Sequence, residues 1–281
     1  MKYSDAQNYL FDFEKNLIKE DKAPATVKKY VGDVRIFLEW CDKKHEQEIS
    51  LQILQHYRED LFSRRKISGC NSVLISLNKF FARYSDTDSL HVRLIKTQRQ
   101  TSLDKIFSLK EYNMLLNKAL EIGNKRLYCI MRVLASSGIR VGELAYIKVE
   151  TLCMGRCLVS NKGKVREIFI PYNVCQVLLE YCSEVHIETG MIFCSPRNPN
   201  KLIDRGQLWR DFNKLERLLN FPKGTVHAHS FRHFFAKQYF CLYKDLGELA
   251  DILGHASIET TRIYTRTTAF EKKTRIEALN L

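Results

Sequence analysis

From Ala6 to Glu20 the apolar residues Tyr9, Leu10, Phe13, Leu17 and Ile18 recur at helical spacing, which predicts a first helix. Pro24 and Thr26 open a second, with Val27, Tyr30, Val31, Val34, Phe37, Leu38 and Cys41 on one stripe. A third is predicted over about Leu51 to Phe62. A fourth covers about Asn71 to Tyr84 and carries Val73, Leu74, Leu77, Phe80, Phe81 and Tyr84. No strand pattern interrupts these four. Residues 1–95 therefore read as one all-helical unit. The polar, aperiodic run 96–105 reads as a linker.

The pattern changes after the linker. Ser108 and Glu111 form a capping box, so a helix starts at Leu109. A helix from about Asn124 to Ser137 is ended by Gly138, and Arg140 and Glu143 fall at the start of the next helical turn. Two strand-like runs, Cys157 to Ser160 and Arg166 to Ile170, flank a turn at Asn161 to Lys164 and predict a hairpin with a basic tip. Helices are then expected over about Val174 to Cys182, Asp204 to Asn220, His229 to Leu242, Leu246 to Leu253 and Ser257 to Tyr264. Residues 106–267 form this second unit. The tail 268–281 is amphipathic and rich in Lys and Arg, with Phe270, Ile276, Leu279 and Leu281 as its apolar positions. The fold class is thus mainly α with a small β-hairpin: an all-α domain followed by a mixed α+β domain.

Composition adds a partner. The 281 residues are 45% hydrophobic, enough for packed cores, and carry 45 Lys+Arg against 32 Asp+Glu, a net charge of +13. That excess favours a polyanion, and nucleic acid is the commonest one. Nine cysteines are scattered without a Cys-x-x-Cys pair, which fits free thiols in a reducing cytoplasm rather than disulfides or a zinc site. No apolar run has the length of a membrane span, and the first residues lack a secretory core, so no membrane association is expected. Lys28, Lys29 and Arg35 lie off the apolar stripe of the second helix. With Arg64, Arg65 and Lys66, and Arg99 in the linker, they are candidates for phosphate contact, although a solvated charged face explains each of them equally well.

Candidate chemistry concentrates between His229 and Tyr264. His229 and Arg232 are three apart, one turn of a helix. Gly254 ends a helix and presents His255 at a turn, and Tyr264 follows nine residues later. With Arg140 upstream, the set offers guanidiniums to hold phosphate oxygens, imidazoles to donate or accept protons, and a phenol as nucleophile. It lacks the paired carboxylates of a metal or glycosidase site.

Four motifs in order carry a resemblance that spans Ala135 to Thr265. They are Ser137-Gly138-Ile139-Arg140-Val141-Gly142-Glu143-Leu144, Lys162-Gly163-Lys164-Val165-Arg166, His229-Ser230-Phe231-Arg232-His233, and Leu253-Gly254-His255 followed by Thr260-Thr261-Arg262-Ile263-Tyr264. In these the chain resembles the tyrosine recombinases, or phage integrases. The helical N-terminal pattern around Thr26, Tyr30, Asp33 and Phe37 is similar too.

The resemblance implies a core-binding domain and a catalytic domain forming a C-shaped clamp on DNA. It implies Tyr264 as nucleophile, Arg140 and Arg232 as clamps on the phosphate, and His255 as a donor to it. His229 would assist proton transfer near Tyr264, and Glu143 would position its neighbours. Lys162 would be the general acid. The hairpin tip is shorter than the family's usual Lys-Gly-x-x-Lys-x-Arg, so Lys164 remains the alternative. His233 is read as facing elsewhere on its helix, in structural support. Tyr146, Tyr239 and Tyr243 are rival phenols without the Gly-His context.

The implied activity is site-specific DNA recombination, as in integration or transposition, through a phosphotyrosine intermediate. It would need no cofactor, metal or ATP. Its partners would be double-stranded DNA carrying recombination sites and three further copies of the chain on DNA, with a monomer or dimer free in solution. The tail 268–281 would dock on a neighbouring subunit or on its own domain. Two alternatives share features with this reading: a topoisomerase-like enzyme that relaxes DNA without partner exchange, and a non-catalytic DNA-binding relative.

Overall fold

The computed structural model describes residues 1–84, 90–96, 106–161, 164–195, 198–255, 257–265 and 277–278, the side chains of 161, 164 and 199 excepted. The chain divides into two compact units, 1–100 and 101–281.

The first unit is built from α1 (Tyr3–Lys19), α2 (Pro24–Lys43), α3 (Leu51–Arg64) and α4 (Ile67–Tyr84). The apolar stripes meet in a core where Phe13, Phe37, Tyr57, Phe80 and Phe81 are fully buried. Phe13 meets Phe80 edge-on with ring centroids 5.2 Å apart, and Phe37 meets Tyr57 at 5.0 Å. Aromatic pairs in this geometry contribute beyond their buried area. Pro24 sits in the first turn of α2, where its missing N–H leaves no bond unmade. α4 begins four residues earlier than its apolar stripe suggests, because Cys70 already packs into the core. The chain leaves along α4: Asn78 exchanges two hydrogen bonds with the backbone of Val92, and Asn71 two with Ile95. Each amide side chain stands in for a strand edge.

The second unit packs α5 (Leu109–Glu121), α8 (Tyr172–Glu184) and α10 (Ala228–Tyr243) around α6 (Lys125–Ser137). Short α7 (Val149–Leu152), α9 (Arg205–Leu218) and α11 (Leu246–Leu253) are its other α-helices among the described residues, and 3₁₀ turns run over Val141–Tyr146, Ile258–Thr260 and Arg262–Thr265. The Ser108 capping box of α5 is present, and α6 ends at Gly138. β1 (Arg156–Asn161) and β2 (Lys164–Phe169) pair antiparallel from Arg156 with Phe169 to Asn161 with Lys164. The pairing therefore runs up to Asn161 and Lys164, the two ends of the turn that the basic run suggests. A second small pair, β3 (Cys194–Ser195) and β4 (Asn198–Leu202), has no counterpart in the hydrophobic pattern. The helix expected from Ser257 to Tyr264 is two 3₁₀ turns instead.

The units have separate cores. That of the second gathers Phe107, Phe193, Phe212, Phe231 and Phe234 with the aliphatic residues of α6, α8 and the first hairpin.

Candidate active site

The site is assembled from helix ends. α6 and α11 both stop at a glycine in the left-handed region, Gly138 with φ 63° and Gly254 with φ 62°. An added Cβ at Gly138 would overlap the Phe235 ring, and one at Gly254 would lie 2.8 Å from Arg166 Cδ. Neither position accepts a side chain, so both turns are tight and bring carbonyl ends close to α10.

Arg232 of α10 is 3% exposed. Its Nη1 donates to the Gly138 carbonyl and its Nη2 to the Leu253 carbonyl, both at 2.6 Å. One guanidinium thus caps the negative ends of two helices. Burial, and then the charge of Arg140, pushes its pKa down to about 10, so it stays charged at neutral pH. Arg140 follows Gly138 by two residues and is half-buried. Its Nη2 donates to the Gly254 carbonyl at 3.2 Å and its Nη1 to Glu143 Oε1 at 3.2 Å.

Glu143 is the buried counter-charge. It accepts the Arg140 backbone N–H at 2.7 Å and, on both oxygens, the guanidinium of Arg166 at 2.9 and 2.7 Å. Burial raises its pKa, but the hydrogen bonds from Arg166 and from the Arg140 backbone and the two positive charges outweigh it and leave about 2. Arg166 also donates Nε to the Ile252 carbonyl at 3.1 Å. It ties β2, the strand that follows the hairpin tip, to Glu143 and to the end of α11. The motif Lys162-Gly163-Lys164-Val165-Arg166 contains this residue without revealing its role. Its place in a strand whose neighbours point alternately in and out was the available signal.

His255 follows Gly254, and its Nδ1 lies 2.7 Å from Thr261 Oγ1; Thr261 is fully buried. Burial first, then Arg232, Arg140 and Arg166, lower the His255 pKa to about 4, so its ring is neutral at pH 7. His229, in the first turn of α10, is exposed at the rim. Partial desolvation and the charges of Arg232, His227 and Arg140 lower its pKa. The approach to α10 is fixed by buried Glu216, which accepts the backbone N–H groups of Gly224 and Val226, both at 2.9 Å.

Tyr264 is 5% exposed and packs against Ala236, Leu249 and Leu253. Burial raises its pKa to about 12, with Arg232 opposing. Its hydroxyl lies 2.7 Å from Nδ1 of His233. This corrects the reading of His233 as facing elsewhere. Positions 229 and 233 are four apart, so both rings lie on one face of α10, their centroids 6.3 Å apart. The imidazole against Tyr264 is that of His233, not His229.

The rival phenols are engaged differently, and of Tyr146 and Tyr239 only Tyr239 packs against the apolar cluster around Tyr264. Tyr146 donates to the Ser160 carbonyl at 3.0 Å, and Tyr239 packs on Tyr243 with centroids 4.7 Å apart and bonds Glu248. Lys162 lies outside the described residues, and so do Arg99 and most of the tail 268–281. For Lys164 the backbone alone is described, at the start of β2. In the first unit Lys28, Arg35, Arg65 and Lys66 are exposed. Lys29 is committed internally: its ammonium reaches Asp33 at 2.6 Å, the Ser72 carbonyl at 2.9 Å and Ser76 at 3.0 Å, tying α2 to α4. Arg64 belongs to the last turn of α3 and pairs with Asp60 one turn back.

Residues 105–271 match the phage integrase family. The chain is 28% identical over 269 residues to the tyrosine recombinase XerA of Thermococcus kodakarensis, covering 94% of this chain and 93% of that one. It is 25% identical over 283 residues to the TnP I resolvase of Bacillus thuringiensis, with 95% and 98% covered. In fold it is similar to the Tn1549 transposon integrase in complex with transposon right end DNA, at a TM-score of 0.74, 14% identity and 100% coverage of both chains. It is similar also to XerH bound to its difH substrate, at a TM-score of 0.70, 19% identity and coverage of 89% and 79%.

Proposed function

This chain belongs to the phage integrase family, and we propose that it is a site-specific DNA recombinase that cuts and rejoins DNA through a 3′-phosphotyrosyl intermediate. The observation that carries the reading is the convergence, on the ends of α6 and α11, of two guanidiniums, a neutral histidine and a buried tyrosine that are separated by as much as 124 residues in sequence.

The chemistry follows from the groups. A phosphodiester is anionic and resists attack. Arg140 and Arg232, rigidly held, neutralise its non-bridging oxygens and the charge that grows as phosphorus becomes five-coordinate. His255 donates a further hydrogen bond, with its ring oriented by Thr261. Tyr264 attacks, the O–P bond forms, and the 5′-oxygen leaves with a proton from the hairpin lysine, Lys162 or Lys164. Glu143 holds Arg140 and, through Arg166, the strand next to that lysine. The bond energy is kept in the phosphotyrosine, so the 5′-hydroxyl of a second duplex can reverse the step without ATP. Exchange in this manner requires two duplexes and four active sites, hence a tetramer on DNA, acting in the cytoplasm. The relatives' names, recombinase, resolvase and transposon integrase, support recombination over simple relaxation of DNA.

The test is covalent trapping. Wild type and Tyr264→Phe are given a nicked duplex made from the DNA flanking the gene and run on a denaturing gel. Wild type is expected to give a DNA-linked band that the variant lacks, and a second duplex then yields a recombinant product. Equal bands from both proteins would assign the nucleophile elsewhere.

A further inference from the structure

Tyr264 has a proton to lose and almost no water to take it. Its ring is enclosed by Ala236, Leu249 and Leu253, with Phe235, Tyr239, Phe240 and Ile263 around them. Among the described residues its hydroxyl makes one hydrogen bond, to His233 Nδ1 at 2.7 Å. The two rings are tilted by 52° with centroids 5.7 Å apart, so the contact is edge-on through the nitrogen rather than a stack.

We propose that His233 is a catalytic residue, the group that takes the phenolic proton as Tyr264 attacks phosphorus. This rests on the reading of Tyr264 as the nucleophile. The imidazole carries its own proton on Nε2, and the Tyr264 hydroxyl donates to the lone pair on Nδ1. In the step, Tyr264 Oη forms a bond to phosphorus while its proton passes to Nδ1. The bond from phosphorus to the 5′-oxygen breaks, and that oxygen is protonated by the hairpin lysine. Rejoining runs in reverse, and the imidazolium returns the proton to the departing phenol.

The surroundings explain why the proton does not move early. His233 is faced by His229, His227 and Arg232 from its own helix, by His255 beyond α11, and by Tyr264 from the last 3₁₀ turn. Burial first, then the charges of His229, His227 and Arg232, lower its pKa to about 4, whereas burial raises that of Tyr264 to about 12. In the free protein the phenol therefore stays protonated by a wide margin. A phosphate clamped by Arg140 and Arg232 brings negative charge beside both guanidiniums. It cancels the potential that disfavours an imidazolium at position 233. Deprotonation of the nucleophile thus awaits the substrate.

Two measurements test this. In the first, without DNA, 3-fluorotyrosine is placed at position 264 and its fluorine resonance is followed with pH. A titration set by His233 in the wild type, absent from His233→Gln, is expected; an identical profile in both would overturn the contact. In the second, single-turnover formation of the covalent complex is timed on the nicked duplex. His233→Ala is expected to be slower by about 10²–10³-fold, the range of a general base. Added imidazole should restore part of the rate, and more basic substituted imidazoles should restore more. His233→Gln, which preserves bulk and a hydrogen bond, should bind DNA and melt like wild type yet stay slow. Unchanged rates in His233→Ala, or a defect that imidazole leaves untouched, would overturn the proposal. A wild type that binds the duplex but forms no covalent complex would instead remove the nucleophile reading beneath it, whatever the fluorine resonance reports.

Discussion

At the scale of single residues, Glu143 bears the most electrostatic weight. Its folded pKa of about 2 lies below its ordinary value of 4.5. The group therefore contributes stability that is present above pH 4.5 and lost as pH falls toward 2, on the order of 3 kcal/mol in all. Glu143→Gln is expected to be less stable at pH 7 and to lose much of the acid dependence in that window. Urea titrations at pH 7, 4 and 3 on both proteins check this. The histidines act with the same sign at higher pH. His233 and His255 have folded pKa values near 4 against an ordinary 6.5, so the unfolded chain binds more protons and stability falls from pH 6.5 toward 4. Removing Arg166 is a harsher change. Arg166→Met takes the bidentate guanidinium away from the buried carboxylate and is expected to cost roughly 2–4 kcal/mol in chemical denaturation. At this scale the sequence spoke clearly through residues whose chemistry is unusual in context, such as Tyr264 beyond Gly254-His255. It was silent on Arg166 and Thr261, whose importance lies in what they touch. His233 was misjudged although helical spacing from His229 was enough to place it.

Among elements, the helices were legible because burial imposes a period on them, and α2, α5, α6 and α11 begin or end where their capping residues stand. Elements without a period were not. β3 and β4 total seven residues and include Pro199, and the 3₁₀ turns that carry Glu143 and Tyr264 are too short to show a stripe. Their positions follow from tertiary packing. The tightest of these constraints is at the helix ends. Gly138→Ala forces a side chain into the left-handed region and into Phe235, and is expected to cost at least about 1–2 kcal/mol from the backbone alone. A lower thermal midpoint would be the first sign. Gly254→Ala adds a demand that Arg166 move, so it should slow covalent complex formation more than it lowers stability. Comparing the two variants in melting and in single-turnover cleavage separates those effects.

For the molecule as a whole, two cores mean two folding units. Residues 1–96 own Phe13, Phe37, Tyr57, Phe80 and Phe81 and the asparagine clasps on Val92 and Ile95. This fragment is expected to fold alone, with a helical spectrum and one cooperative melt. A non-cooperative melt would show that it borrows stability from the remainder. The net charge of +13 belongs to the same scale. DNA affinity should fall steeply as salt rises, because each neutralised phosphate releases counterions. Charge excess was readable from composition, whereas Lys29 and Arg64 show why it does not nominate contacts: each already holds a partner within its own unit.

The double grip of Arg232 has a consequence for how such a gene decays. Loss of this arginine abandons two buried carbonyls at once, so the protein would be cleared as misfolded before it survived as an inactive copy. Loss of the Tyr264 hydroxyl removes, among the described residues, the one hydrogen bond to His233 from a ring that still fits its pocket. Degenerate copies that persist as DNA-binding proteins should therefore have parted with the tyrosine and kept the arginine, so an intact arginine is weak testimony that a copy still cuts DNA.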